Sequence, residues 1–195
     1  MGTPDFAVPS LDILVKNGFD VVGVVTATDK YGGRGGKKLI ESAVKKYAVA
    51  NDLNVLQPKN LKSPKFQAAL KALNADLQVV VAFRMLPVAV WDMPPIGTIN
   101  LHGSLLPKYR GAAPLNWAVI NGEKETGATT FFLKHEIDTG DLLFTTKVEI
   151  GEDATVGEVH DELMLKGAEL VLKTVRAIEE GDYTPQPQDE SLVSK

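Results

Sequence analysis

No cysteine occurs among the 195 residues, which excludes disulfides, thiolate metal ligands and a cysteine nucleophile. Histidine is nearly as scarce. His102, His135 and His160 are the whole supply, and they share no interval that would bring imidazoles together on an ion, so no metal is expected. No run of about 18 apolar residues is present to cross a membrane, and no basic-then-apolar segment opens the chain. With no cysteine besides, the expected location is cytoplasmic. Neither sign of charge dominates: 21 basic residues against 25 acidic leave a net charge of −4, so any nucleic-acid binding needs a local patch. Internal repeats and low-complexity tracts are lacking too. What is there is ordinary globular composition, 44% hydrophobic and 24% charged. A chain of this length buries roughly 70% of its unfolded surface and is read as one domain, or at most one and a fraction.

The start, Gly2-Thr3-Pro4-Asp5-Phe6, reads as a loop entering a helix, with Thr3 as cap and Pro4 in the first position. Leu11, Leu14 and Val15 give that helix its apolar face and Gly18 ends it, while Pro9 bends it or marks its true start. Val21–Val25 is a continuous apolar run, as expected of a strand buried on both faces, and it predicts a parallel partner strand before Met1. Residues 28–38 form a glycine-rich loop carrying Lys30, Arg34, Lys37 and Lys38, with Lys45 and Lys46 extending its charge along a helix over 39–50. The spacing is not that of a P-loop. A solvated mobile loop is the plain reading; the local excess of cations points to an anionic partner.

A short strand at Asn54–Gln57 follows, then a helix from Pro64 to Asn74 capped by Ser63, a buried strand at Leu77–Ala82, and a short helix holding Val90 and Trp91. Strands alternating with helices predict a parallel sheet with right-handed crossovers. Later elements are a strand at Thr98–Leu101, a helix over 112–121, strands at Gly127–Leu133 and Leu142–Ile150, and a long helix closed by Gly181. Thr155 and Glu158 form a capping box for that helix, and Val156, Val159, Leu163, Leu170 and Ile178 mark its inner face. Residues 182–195, with two prolines and few apolar side chains, read as the start of a linker.

The strand Thr98–Leu101 runs into Asn100-Leu-His102-Gly-Ser104-Leu105-Leu106-Pro107-Lys-Tyr-Arg110. Residues two apart on a strand share a face, so Asn100 and His102 project together at the carboxyl end, where ligands bind in open α/β sheets. An amide can donate to an oxyanion, an imidazole can take a proton, and a carboxylate such as Asp138 can orient the ring. The plainer alternatives stay open: His102 capping its loop, Asn100 satisfying backbone groups, and Asp138 making an Asx turn with Gly140 at positive φ. Ser104 beside His102 raises a serine hydrolase, but the Gly-x-Ser-x-Gly elbow is missing.

These motifs, together with Arg110-Gly-Ala-Ala-Pro114 and Asp138-Thr-Gly-Asp141, resemble the folate-dependent formyltransferases. Gly2–Ala7, Gly33-Arg34-Gly35 with Lys37-Lys38, Glu125-Thr126-Gly127 and Gln188–Val193 narrow the resemblance to the N-terminal catalytic domains of the methionyl-tRNA formyltransferase family. It extends over essentially the whole chain. The resemblance implies an α/β fold with a Rossmann-like, mostly parallel sheet flanked by helices. Residues 1–181 would be the catalytic domain and 182–195 the start of a linker, with the family's first strand and C-terminal β-barrel domain lying outside this sequence.

It further implies formyl transfer from 10-formyltetrahydrofolate to the α-amine of methionyl-initiator tRNA, without a metal, by a cytoplasmic monomer. Asn100, His102 and Asp138 match the catalytic trio. Ser104, Leu105, Leu106 and Pro107 match the folate-holding segment, with Phe6, Phe83 and Leu86 lining the pteridine pocket. Arg34, Lys37 and Lys38 match the element that meets the tRNA acceptor end. The loop Ala82-Phe-Arg-Met-Leu-Pro87 is one residue shorter than the family's usual form. The alternatives are an amino-sugar nucleotide or another small amine as acceptor, or a non-catalytic folate- or RNA-binding fragment.

Overall fold

The computed structural model describes residues 1–32 and 35–194, and the chain divides into two compact units, Met1–Gly97 and Thr98–Lys195. In the first unit the parallel strands are short and valine-rich. Strand β1 (Val24–Val25) pairs in parallel with β4 (Val55–Leu56), Val24 opposite Val55. Strand β5 is Leu77–Val81. Between β1 and β5 lies the start of the chain itself: Gly2 N–H donates to Val25 O at 3.0 Å and Val81 N–H donates to Met1 O at 2.9 Å. Met1 and Gly2 thus take the place at which the valine run called for a parallel neighbour. A side chain at Gly2 would put its Cβ 2.7 Å from Ala7 Cβ and 2.8 Å from Val81 O, so only glycine lets the segment lie this close.

Helices α1 (Val8–Lys16), α2 (Ala43–Ala50), α3 (Pro64–Ala72) and the short α4 (Val88–Trp91) complete this unit. A 3₁₀ turn at Asp5–Ala7 precedes α1, and Pro9 falls in the first turn of that helix, so the helix starts at the proline and does not bend around it. Tyr47 Oη donates to Asp12 Oδ1 at 2.9 Å, tying α2 to α1. Burial, with Asp12 alongside, pushes the Tyr47 phenol up to about 12, which keeps it a donor at neutral pH. Leu14, Val25, Val44, Ala48, Phe66, Leu70, Val81 and Val90 are all buried.

The glycine-rich stretch departs from its sequence reading. Lys30–Gly32 (β2) and Lys38–Ile40 (β3) pair antiparallel, Tyr31 opposite Leu39, so a hairpin stands where an unstructured loop was expected. Residues 38–40 are therefore strand, and α2 begins only after Ser42, whose Oγ accepts the Lys45 N–H at 3.0 Å. Ser42 is a far better cap than anything at position 39. Lys45 is also no part of a free cationic patch, because its ammonium pairs with Asp29 and, at 2.7 Å, with Glu41.

In the second unit the pairing changes direction. Strands β6 (Gly97–His102), β7 (Glu125–Phe132) and β8 (Leu142–Glu149) run antiparallel, with Asn100 opposite Phe131 and His102 opposite Thr129. The rhythm of alternating strand and helix is broken at β7 and β8, which follow one another with no helix between, as it is at β2 and β3 in the first unit, and both pairs are antiparallel. Strands β6 and β7 are antiparallel although a helix lies between them. Helix α5 is Pro114–Ile120, and α6 is Val156–Glu180. The capping box of Thr155 and Glu158 forms, and Gly181 closes α6 at φ 70°.

Helix α6 buries Val159, Leu163, Leu170, Val171, Val175 and Ile178. Its seat on the sheet is set by small residues: a Cβ on Gly167 would lie 2.9 Å from Leu101 Cδ2, and Thr174 Oγ1 lies 2.8 Å from Thr130 Oγ1 on β7. Within the described residues no helix is long and apolar enough to cross a membrane. Leu163 is 0% exposed. Leu163→Ala should therefore destabilise the fold by about 2–5 kcal/mol in urea unfolding, whereas Leu165→Ala, at a position 59% exposed on the same helix, should change it by no more than about 0.5 kcal/mol.

Candidate active site

Strand β6 ends at His102, and the pleat that puts Ile99 and Leu101 into the core presents Asn100 and His102 on the opposite face. His102 is only 7% exposed, and a buried ring N–H needs an acceptor within the protein. Nε2 lies 2.8 Å from the Tyr109 carbonyl oxygen. A carbonyl can only accept, so Nε2 carries the hydrogen and donates it. In the neutral ring the lone pair is then on Nδ1, which lies 3.6 Å from Asp138 Oδ2. That is beyond a hydrogen bond, yet close enough for a proton-bearing ring to feel the carboxylate. Asn100 is half-buried two residues earlier on β6.

Asp138 reaches the imidazole from the β7–β8 connection, and the turn that carries it is not the one its sequence suggests. The left-handed residue is Asp138 itself, at φ 53°. Gly140 is not among the positive-φ glycines; it is needed because a Cβ there would lie 1.6 Å from Phe132 O. Nor does the Asp138 carboxylate serve its own turn: Oδ2 accepts the Gly111 N–H at 2.8 Å. The loop after β6 thus meets the trio twice, through the Tyr109 carbonyl on His102 and the Gly111 amide on Asp138.

The Ser104–Pro107 segment is fixed from β7. Thr129 Oγ1 donates to Ser104 O at 2.7 Å and accepts from Leu106 N–H at 3.2 Å. Ser104 is 0% exposed and its hydroxyl donates to Lys108 O at 2.6 Å, so the side chain braces its own loop. Leu106 and Pro107 are buried, and Leu105, half-buried, packs where a side chain on Gly127 would stand.

The remaining sequence-predicted residues belong to the first unit. Phe6 lies in the 3₁₀ turn and is half-buried. Phe83 is half-buried with the Arg84 guanidinium 5.6 Å from its ring centre, and Leu86 is buried. Leu86 lines a groove of about 450 Å³ bounded by residues 59–62 and 84–87. Lys37 and Lys38 are exposed on the hairpin, while Arg34 lies outside the described residues.

Several contributors carry no signal in the residues taken singly. Thr129 is one of two adjacent threonines on a buried strand, and nothing in composition marks it as the brace of a loop. Tyr109 sits at φ 57°, 6% exposed, its hydroxyl donating to Glu123 Oε1 at 2.7 Å; burial, with the Glu123 bond, pushes its phenol up. The stretch 182–194, read as a linker, is instead bound to this unit. Gln186 and Leu142 exchange backbone hydrogen bonds of 2.9 and 2.7 Å, and Tyr109 N–H donates to Ser194 O at 3.2 Å. The ties are polar and so invisible to a hydropathy reading.

A family model described as formyl transferase matches residues 1–175. The chain is 56% identical over 191 residues, 98% of its length, to a methionyl-tRNA formyltransferase of Flavobacterium johnsoniae, and 60% identical over 193 residues, 99% of its length, to one of Phocaeicola vulgatus. It spans 60% and 59% of those relatives' lengths. Among solved structures it is similar to glycinamide ribonucleotide transformylase 1 from Symbiobacterium toebii, with a TM-score of 0.77 at 18% identity over 97% of this chain and 92% of that one. An N-formyltransferase from Helicobacter canadensis, in complex with folinic acid and dTDP-3-aminofucose, gives 0.72 at 22% identity over 99% and 68%. At such identities these likenesses speak to the fold alone. With the family model spanning most of its length, the chain belongs to the formyl transferase family.

Proposed function

We propose that this chain is the catalytic part of a cytoplasmic, monomeric enzyme that transfers a formyl group from 10-formyltetrahydrofolate to the α-amine of methionyl-initiator tRNA in translation initiation. The observation that carries the choice of acceptor is the identity of 56–60%, over nearly all of this chain, with proteins named methionyl-tRNA formyltransferase. When bound, the folate supplies the activated formyl group. For holding it the second unit offers the Ser104–Pro107 segment, braced by Thr129, and the family resemblance adds Phe6, Phe83 and Leu86 as the residues for the pteridine.

The side chains divide the work by their chemistry. With Nε2 donated to the Tyr109 carbonyl, Nδ1 is the ring nitrogen able to take a proton from the attacking amine. The ring then becomes cationic beside Asp138, whose carboxylate lies 3.6 Å from that nitrogen, and the same proton would pass to the folate nitrogen as its bond to the formyl carbon breaks and tetrahydrofolate leaves. Asn100, presented on the same strand face, is the donor for the carbonyl oxygen as it gains charge. Removal of the amine proton falls to the imidazole and stabilisation of the oxyanion to the Asn100 amide. Lys37 and Lys38 on the β2–β3 hairpin, with Arg34 of the same stretch, are the cations for the tRNA phosphates.

Asn100→Ala should lower kcat for formylation of methionyl-tRNA by about 10²–10³-fold, and His102→Ala by about 10²–10⁴-fold. Formyl transfer unchanged by His102→Ala would refute a catalytic site here. Turnover of an amino-sugar nucleotide with none of methionyl-tRNA would refute the acceptor. A second expectation concerns charge. Lys37→Ala with Lys38→Ala should weaken binding of the tRNA and flatten its dependence on salt by about one unit of log–log slope per lysine. Folate affinity should stay unchanged, and an equal fall in it would assign the hairpin another role.

A further inference from the structure

The His102–Asp138 pair is held in register by a residue far along the chain. Gln188 Nε2 donates to two carbonyls of the turn that carries the carboxylate, Asp138 O at 2.7 Å and Gly140 O at 2.9 Å. Its Oε1 accepts from Arg110 Nε at 3.1 Å and from Arg110 Nη2 at 2.7 Å. The orientation of this amide is dictated by its partners: carbonyls only accept and a guanidinium only donates, so the reverse orientation would oppose like groups on both sides. Arg110 is itself fixed from behind by a fork of bonds to Glu190, Nη1 to Oε2 at 3.0 Å and Nη2 to Oε1 at 2.7 Å.

These bonds close a ring. Arg110 is followed by Gly111, whose N–H is the donor to Asp138 Oδ2 at 2.8 Å, and preceded by Tyr109, whose carbonyl takes the His102 hydrogen. One amide side chain therefore spans the two loops that position the imidazole and the carboxylate. Asp138 has a left-handed backbone, a conformation that aspartate can adopt at small cost, and the bonds from Gln188 tie the carbonyls on either side of it.

We propose that Gln188, oriented by Arg110, is a positioning residue that holds the 138–140 turn so that the Asp138 carboxylate stays on the Gly111 amide and beside His102. Gln188 touches neither ring nor carboxylate, and it acts only through the turn. The kinetic part of this inference rests on the formyl transfer proposed above; the structural part does not.

The test uses the full-length protein and Gln188→Met, which keeps the length of the side chain and removes its hydrogen bonds. The Gly111 amide should exchange with solvent at least about tenfold faster than in the wild type while the amides of α6 keep their protection. The kcat for formyl transfer should fall by about 10–100-fold with KM for both substrates changed by no more than about twofold. In an Asp138→Asn background the same replacement should cost no more than about twofold further, because its effect passes through that carboxylate. If Gln188→Met does not fold, Gln188→Asn keeps the amide but loses its reach, and carries the same expectations. Unchanged Gly111 exchange overturns the proposal, and so does a full, multiplicative loss in the Asp138→Asn background, which marks a merely structural side chain. If wild-type protein transfers no formyl group to methionyl-tRNA, the acceptor assignment fails, and Gly111 exchange alone decides the role of Gln188.

Discussion

A buried imidazole that must keep one nitrogen free is the constraint around which the second unit is arranged. His102 sits at the end of a central strand, where water cannot satisfy it, so the protein must supply a partner for the ring hydrogen without covering the lone pair. The Tyr109 carbonyl does the first from seven residues downstream. Tyr109 takes a left-handed conformation there, and its phenol is anchored by Glu123 and Asn121.

The carboxylate poses a similar problem on the other side. Asp138 also has a left-handed backbone, and its turn lies so close to β7 that only glycine fits at position 140. The Gly111 amide holds its carboxylate and the Gln188 amide holds its carbonyls. Polar bonds serve here where apolar packing could not, because what has to be fixed is the direction of a charged group and not the depth of a side chain. The antiparallel sheet supplies the frame, with buried threonines at 129 and 130 on opposite faces of β7, one bonded to the Ser104–Leu106 loop and the other to Thr174 of α6.

The first unit is built on other terms. Its short parallel strands are valine-rich, with Val24, Val25, Val80 and Val81 buried, and Tyr47 ties α2 to α1 through Asp12. Charge there is settled locally. Lys45 is neutralised by Asp29 and Glu41, whereas Lys37 and Lys38 stay exposed on a hairpin that also exposes Tyr31, Leu39 and Ile40.

The sequence by itself determined the elements whose signals are local. The capping box and closing glycine of α6, the valine strands, the α/β class and the shared face of Asn100 and His102 were all legible, since each depends on residues within a few positions of one another. The family was legible from ordered motifs. The tertiary structure alone decided the partners of those residues: that Lys30–Gly32 pairs antiparallel with Lys38–Ile40, that Asp138 and not Gly140 takes the left-handed conformation, that Ser104 is consumed by its own loop, and that Gln186 and Ser194 bond to the second unit. It alone placed the Tyr109 carbonyl, the Gly111 amide and Gln188 around two side chains some 36 residues apart in the chain. The reason is physical. Helix and strand propensities and caps act over a turn or a pleat, whereas a hydrogen bond between distant polar groups has no periodicity in sequence and exists only once the backbone has brought donor and acceptor together.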